Sequence, residues 1–241
     1  MKHSAAVGLV TLPAQDSAPV RDDVYYEAVP AGGVAEQLFM AARDRIYTDF
    51  LARMKPTATS SIVDVGVSDV LVGGANVLER KYPVQRNITA CGLGEGIAFK
   101  RDFPEVRYVR IEPNVRLPFA DNEFDIAMSN AVAEHLGSFE NQVFFVGELA
   151  RVAKQAYVVV PNRYFLVEHH TALPLLHYWD KGFQLACSVL GKSQWADDSN
   201  LILMDRKKLW EIAARTTKSA AVGYTGLRFG PMSSNIFLAL H

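Results

Sequence analysis

The chain has 241 residues, 25 Lys and Arg against 26 Asp and Glu, and a net charge of −1. At 49% hydrophobic and 21% charged it has the make-up of a globular enzyme, and the balanced charge excludes a chain-wide electrostatic footprint for nucleic acid. Two cysteines, Cys91 and Cys187, stand far apart without paired spacing, which argues against a disulfide framework or a cysteine zinc site and fits a reducing compartment.

No apolar run reaches the roughly 20 residues of a membrane span, and the N-terminus lacks the apolar core of a signal peptide. The expected location is therefore the cytoplasm. Residues 1–33 hold Pro13, Pro19, Pro30 and Gly32-Gly33 without periodicity, and read as an irregular lead-in. Residues 34–241 read as one domain. Its first element is a helix over 34–55, where Leu38, Phe39, Ala42, Ile46, Phe50 and Leu51 recur at helical spacing until Pro56 stops it.

Strands and helices then alternate over 58–161. Ser61–Val65, Asn87–Gly92, Val106–Ile111, Phe124–Ser129 and Ala156–Val160 read as strands. Helices are expected around Ala75–Tyr82, Gly96–Phe103 and Asn141–Ala153. This rhythm predicts an α/β fold with a parallel sheet and right-handed crossovers. Residues 162–241 begin with a His-, Leu- and aromatic-rich segment. A capped helix at Asp205–Ala214 follows, then two closing strands, Ala220–Tyr224 and Asn235–Leu240, around a turn at Gly226–Pro231.

Ligands of open α/β sheets bind beyond the carboxyl ends of the strands, so each strand end is a place to look for chemistry. The first ends Asp64-Val65-Gly66-Val67-Ser68-Asp69. Gly66 alone occupies the turn, and the Gly-x-Gly-x-x-Gly spacing of a dinucleotide loop is absent. Asp64 is suited either to hold that turn or to accept from a ligand ammonium. After the second strand, Glu95 is either a ribose acid or a helix N-terminal acid favoured by the dipole. Next comes Leu117-Pro118-Phe119-Ala120-Asp121-Asn122-Glu123-Phe124-Asp125, a Pro-fixed extended piece, a turn and a strand start. That strand runs on to Ser129-Asn130 and the polar pair Glu134-His135.

In order and spacing, Leu117–His135 resembles the corresponding region of class I S-adenosylmethionine (SAM)-dependent methyltransferases, particularly the group called methyltransferase type 11. The resemblance extends over roughly residues 58–178. It implies a Rossmann-like, mostly parallel seven-stranded sheet with helices on both faces and an antiparallel last strand. It also implies SAM as cofactor, with Asp64 and Gly66 in its loop and Glu95 on the ribose. Glu112 or Asn114 would then lie near the adenine, and Ser129 and Asn130 beside the methionine part. The chain departs from the family at Val67, Ser68 and Asp69, where glycines are usual, and at Gly92 or Gly94, where the ribose acid usually stands. Pro113 also replaces an expected acid.

The reaction so implied is methyl transfer to a small-molecule, glycan or lipid-linked acceptor. His135, His169 and His170 are the candidate bases, and Arg163–Trp179 is the candidate acceptor wall. No metal is expected, because His169, His170 and His177 lack zinc-enzyme spacing. Within that wall, Leu173–Trp179 reads more readily as a core helix than as a docking surface. The alternative function is a methyltransferase-like binding or assembly domain that has lost SAM, and the Val67–Asp69 loop separates the two. No nucleic-acid partner is expected, and nothing in the sequence sets the oligomeric state.

Overall fold

The computed structural model describes residues 34–69 and 74–241; the lead-in over 1–33 lies outside them. The elements in chain order are α1 (Val34–Met54), β1 (Ile62–Val65), α2 (Val77–Lys81), β2 (Ile88–Gly92), α3 (Ile97–Asp102), β3 (Arg107–Arg110) and β4 (Phe124–Asn130). Then come α4 (Phe139–Val152), β5 (Ala153–Pro161), α5 (Asp180–Val189), α6 (Arg206–Ala213), β6 (Ala220–Phe229) and β7 (Met232–Leu240).

The seven strands form one sheet in the order β3-β2-β1-β4-β5-β7-β6. β1 to β5 pair in parallel, and β7 runs antiparallel to both β5 and β6. This is the Rossmann-like architecture implied by the resemblance. β1, β2, β4 and β5 are almost wholly buried, as strands covered on both faces must be. Val63, Val65, Val158, Val160 and Leu238 pack on one face beneath α4 and α6. Ile62, Ile126, Met128, Tyr157 and Phe237 pack on the other with Ile46, Phe50 and Met54 of α1. Strand order reverses between β1 and its two neighbours, so β1 and β4 frame the crevice where such sheets take ligands.

Local sequence accounts for the boundaries. α1 ends at Met54, one residue short of the expected 55, because Lys55 takes a left-handed φ of 49° ahead of Pro56. Ser138 and Asp205 cap α4 and α6 by accepting from Asn141 N–H and Lys208 N–H. The closing hairpin is longer and its turn tighter than the sequence suggests. A bulge between Thr225 and Arg228 absorbs Gly226, at φ +77°, and pairing resumes to Phe229 and Met232.

The Leu117–Phe119 segment owes its place to one ion pair. Arg151 donates to both carboxylate oxygens of Glu148 at 2.7 Å, and also to the Leu117 and Phe119 carbonyls. Glu148 in turn accepts from Leu117 N–H at 2.8 Å. Both side chains are largely withdrawn from solvent, at 16% and 10% exposure. Removing one partner therefore strands a charge and two carbonyls. We expect Arg151→Met to lower unfolding free energy by about 2–4 kcal/mol in urea titrations; a loss below about 0.5 kcal/mol, the size of an exposed pair, would contradict this role.

Candidate functional site

β1, β4 and β5 deliver three chain segments to the same edge of the sheet. Asp64 sits within β1 and is buried, at 7% exposure. The turn after it closes tightly: the N–H groups of Gly66 and Val67 both donate to the Cys91 carbonyl. Gly66 has φ +109°, and a Cβ there would lie 2.1 Å from Val132 Cγ2, so only glycine lets the β1 and β4 turns approach. Ser68 is then pinned by Asn76, whose side-chain amide accepts from its N–H and donates to its carbonyl.

The departures from the glycine-rich pattern have structural uses. The Asp69 carboxylate accepts from Ile97 N–H at 2.9 Å and Phe99 N–H at 2.8 Å, and so caps α3 from outside the helix. A Cβ on Gly92 would meet the Tyr108 hydroxyl, and one on Gly96 the Tyr108 ring, at 2.6 Å, and the Tyr108 hydroxyl donates to the Gly94 carbonyl. The glycines after β2 thus make room for Tyr108. Glu95 is exposed and paired with Arg110 at 2.5 Å, while Glu112 lies 3.9 Å from the same guanidinium. Asn114 is exposed, with φ 56°.

The end of β4 is different. The Ser129 hydroxyl donates to the Val65 carbonyl at 2.8 Å and ties β4 to β1. Asn130 keeps its side-chain oxygen buried without a hydrogen-bond partner among the described residues. An unpartnered buried acceptor beside Asp64 and Gly66 suits the ammonium of an amino-acid moiety. The methionine half of SAM therefore fits these residues. At the ribose end the fit requires Glu95 to exchange Arg110 for hydroxyls. Residues 70–73, the remainder of that loop, lie outside the described residues.

Beyond β4, a short 3₁₀ turn at Ala133–His135 faces the segment that follows β5. Its Ala133 carbonyl accepts from the buried Gln142 amide, which fixes the turn to α4. Here His135 and His170 meet, Nε2 to Nε2, at 3.2 Å with rings perpendicular. The Trp195 ring packs on His170 at 4.9 Å. His135 Nδ1 lies 2.7 Å from the Asn200 carbonyl, which only accepts, so Nδ1 carries the proton. His170 Nδ1 lies 2.8 Å from Glu168 Oε1. Glu168 Oε2 meanwhile accepts from His170 N–H, Thr171 N–H and the Thr171 hydroxyl.

Burial alone would raise the Glu168 carboxyl, but the bonds from His170 and Thr171 outweigh it and hold it at about 2. Burial pushes the Glu134 carboxyl up to about 7, against the charges of His170 and Arg43. Glu134 is 1% exposed, and neither carboxylate oxygen has a hydrogen-bond partner among the described residues. Burial and the neighbouring His170 lower His135 to about 4. His169 stands apart from the pair. Its ring rests between Phe39 and Phe165, and burial holds it at about 4. A small cleft lined by Glu134, Asn162, Glu168, His169 and Met204 opens beside the cluster and admits little more than a water-sized guest.

Of the sequence-based candidates, the structure joins His135 to His170 and brings Asp64, Gly66, Ser129 and Asn130 to one edge. Glu95 and Glu112 instead share Arg110, away from the histidines. Glu134 and Glu168 were not among the candidates. The signal for Glu134 was its place beside His135 after a strand end, and for Glu168 its place two residues before His170, within the segment expected to form the acceptor wall. The core-helix reading of Leu173–Trp179 is corrected: Leu175, Leu176, Tyr178 and Trp179 are exposed, while His177 is buried and Leu173 packs partly buried against the cluster that holds Phe183 and Trp195. Arg163 holds this turn by donating to the His177 carbonyl and to Asp180.

Residues 96–160 match the family model described as a methyltransferase domain. Together with the strand order, this match marks the fold as that of class I methyltransferases. S-adenosylmethionine is the cofactor of that family. No curated protein matches the sequence. Solved structures share the methyltransferase fold at low identity. A possible histamine N-methyltransferase from Thermotoga maritima aligns at TM-score 0.55 and 13% identity, over 86% of this chain and 91% of that one. A SAM-dependent methyltransferase from Mesorhizobium loti aligns at TM-score 0.52 and 11% identity, over 81% and 97%. Another from Aquifex aeolicus aligns at TM-score 0.50 and 14% identity, over 85% and 92%.

The carboxylates of this domain set its pH dependence. Glu79 of α2 is 0% exposed with both oxygens unpartnered, and its carboxyl is raised well above 4.5 by burial and by Asp64. Asp64 is raised to about 7, also by burial. Raised carboxyls contribute stability that is full below their unfolded pKa and is lost as pH climbs through the folded value. These two carboxyls thus favour pH 5 over pH 8, whereas His135 and His169, held at about 4 by burial, oppose them below about pH 6.5. Glu79→Gln should therefore stabilise the protein at pH 8 and do little at pH 5, where the buried carboxyl is already neutral. Denaturation midpoints of wild type and variant that stay parallel across this range would refute the assignment.

Proposed function

We propose that the protein transfers a methyl group from SAM to an oxygen or nitrogen of a small-molecule, glycan or lipid-linked acceptor. In this reading Asp64, Gly66 and Asn130 hold the methionine half of the cofactor. The observation that carries it is the buried Glu134–His135–His170–Glu168 cluster, next along the sheet edge from the only β4-end acceptor without a partner among the described residues. Bound SAM supplies a methyl on a positively charged sulfur, already a strong electrophile. The protein's task is to set the acceptor in line, worth several kcal/mol, and to take up or displace its proton.

As the acceptor lone pair forms its bond to the methyl carbon, the carbon–sulfur bond breaks and its electron pair stays on sulfur. The acceptor's proton passes to the cluster. The exposed Tyr164, Tyr178 and Trp179 beyond β5 form the acceptor wall in this proposal, and an aromatic surface of that kind suits a sugar ring or an isoprenoid chain. Two free, buried cysteines accord with a cytoplasmic setting. No described helix is long and apolar enough to cross a membrane.

Calorimetry with SAM and its demethylated product tests the cofactor site. Wild type should bind both, and Asp64→Asn and Asn130→Leu should each weaken binding at least about tenfold, a loss of about 1.4 kcal/mol. Folded variants with undiminished affinity would show that the methionine half lies elsewhere. Label transfer from methyl-labelled SAM into small-molecule and lipid extracts tests the cluster. His170→Asn should lower transfer about 100-fold, within the usual range for acid–base groups, at unchanged SAM affinity. Equal transfer would remove the cluster from the reaction.

A further inference from the structure

The proton count of the histidine pair leads beyond acid–base chemistry. With Nδ1–H of His135 on the Asn200 carbonyl and Nδ1–H of His170 on Glu168, both neutral rings present an Nε2 lone pair to the other. Two lone pairs 3.2 Å apart repel unless a cation lies between or beside them. Either a third proton or a metal ion meets that need. The third member of the group is Glu134. One of its carboxylate oxygens and one ring nitrogen of each histidine all lie within 4.8 Å of one another.

We propose that Glu134, His135 and His170 bind one divalent transition-metal ion of the zinc type. Four features support an ion. Two imidazoles and one carboxylate are the donor set of catalytic zinc sites that keep a fourth position open. At ordinary Zn–N bond lengths, two tetrahedral ligand nitrogens stand about 3.3 Å apart, close to the 3.2 Å spacing here.

Each ring also directs its remote N–H to a carbonyl or a carboxylate, the support that orients metal-bound histidines and sets their tautomer. Finally, Glu134 is 1% exposed and both of its oxygens lack a partner among the described residues, an arrangement that costs free energy unless something coordinates them. The adjoining cleft has room for a water-sized ligand in the open position. Charge is accommodated as well: Glu134 and Glu168 offset a dication, and Arg43, whose charge also reaches Glu134, is the opposing group.

Ion binding stands apart from methyl transfer; only the use of the ion rests on the function proposed above. In that use the open position takes an acceptor oxygen and lowers its pKa, so that its proton passes to solvent water before the methyl arrives, and the two histidines hold the ion instead of taking the proton themselves. This reverses the expectation from spacing, which weighed His169, His170 and His177 together and passed over the Glu134-His135 pair.

The test is a Co²⁺ titration of the chelator-stripped full chain, followed by absorbance in the visible and by thermal unfolding. One equivalent should bind, with ligand-field bands and a raised Tm, and Zn²⁺ should displace it. Glu134→Gln and His170→Asn should each weaken binding at least about tenfold. His177→Asn, outside the triad, should leave it within about twofold. Wild-type protein that shows neither bands nor stabilisation holds a shared proton instead, which overturns the proposal without any variant having to fold. Binding that persists unchanged in both triad variants marks a surface site and overturns it equally. SAM calorimetry on the same samples separates failure of the ion site from failure of the methyl-transfer reading.

Discussion

Burial of charge at the carboxyl edge of the sheet is the constraint around which the domain is arranged. Asp64, Glu79, Glu134 and Glu168 are all withdrawn from water there. Ionised carboxylates in such surroundings must be neutralised, hydrogen-bonded or paired. Glu168 takes the second course, with donors on both oxygens. Asp64 and Glu79 take the first, and Arg43 of α1 supplies a positive charge near Asp64. Glu134 is likewise raised, to about 7, and its carboxylate has no hydrogen-bond partner among the described residues. A fold stabilised chiefly by apolar packing above and below the sheet can bear that cost, and groups of this sort cluster where chemistry is done.

The glycine-poor loop is better understood as a different closure than as a damaged one. In a glycine-rich loop the bare backbone approaches the ligand. Here Gly66 alone is indispensable, because Val132 presses against it. The positions that depart from the family pattern are occupied structurally: Asp69 caps α3 and Tyr108 packs over Gly92 and Gly96. These contacts bind the β1 and β2 ends together through protein atoms. Affinity for the adenosine half then depends on how readily Arg110 yields Glu95, an exposed pair and therefore a weak one.

Much of this was legible in the amino-acid sequence because periodicity and punctuation report local structure. The alternation from Ser61 to Val160 places five parallel strands in order, and the Leu117–His135 stretch identifies the fold. Strand ends shift by one to five residues where pairing, rather than propensity, decides them, as at Ala153 and Phe229. The candidate site was only half legible. His135 and His170 lie 35 residues apart in sequence, and nothing local says that their rings meet. Glu168 stands beside His169-His170 in sequence, but its burial and the bonds it accepts from His170 and Thr171 show only in the fold. Leu173–Trp179 is the opposite case: apolar composition suggests a core, but the Arg163 clamp turns the segment outward.

The central claim is that the β1 and β4 ends hold the cofactor while the Glu134–His170 cluster faces its reactive sulfur. A crystal structure of the chain with the demethylated product of SAM tests this most directly. The product's amino-acid moiety should lie between Gly66 and Asn130, with the sulfur directed toward the turn at Ala133–His135. Product bound on another edge of the sheet, or with its sulfur turned away from that cluster, would contradict the account.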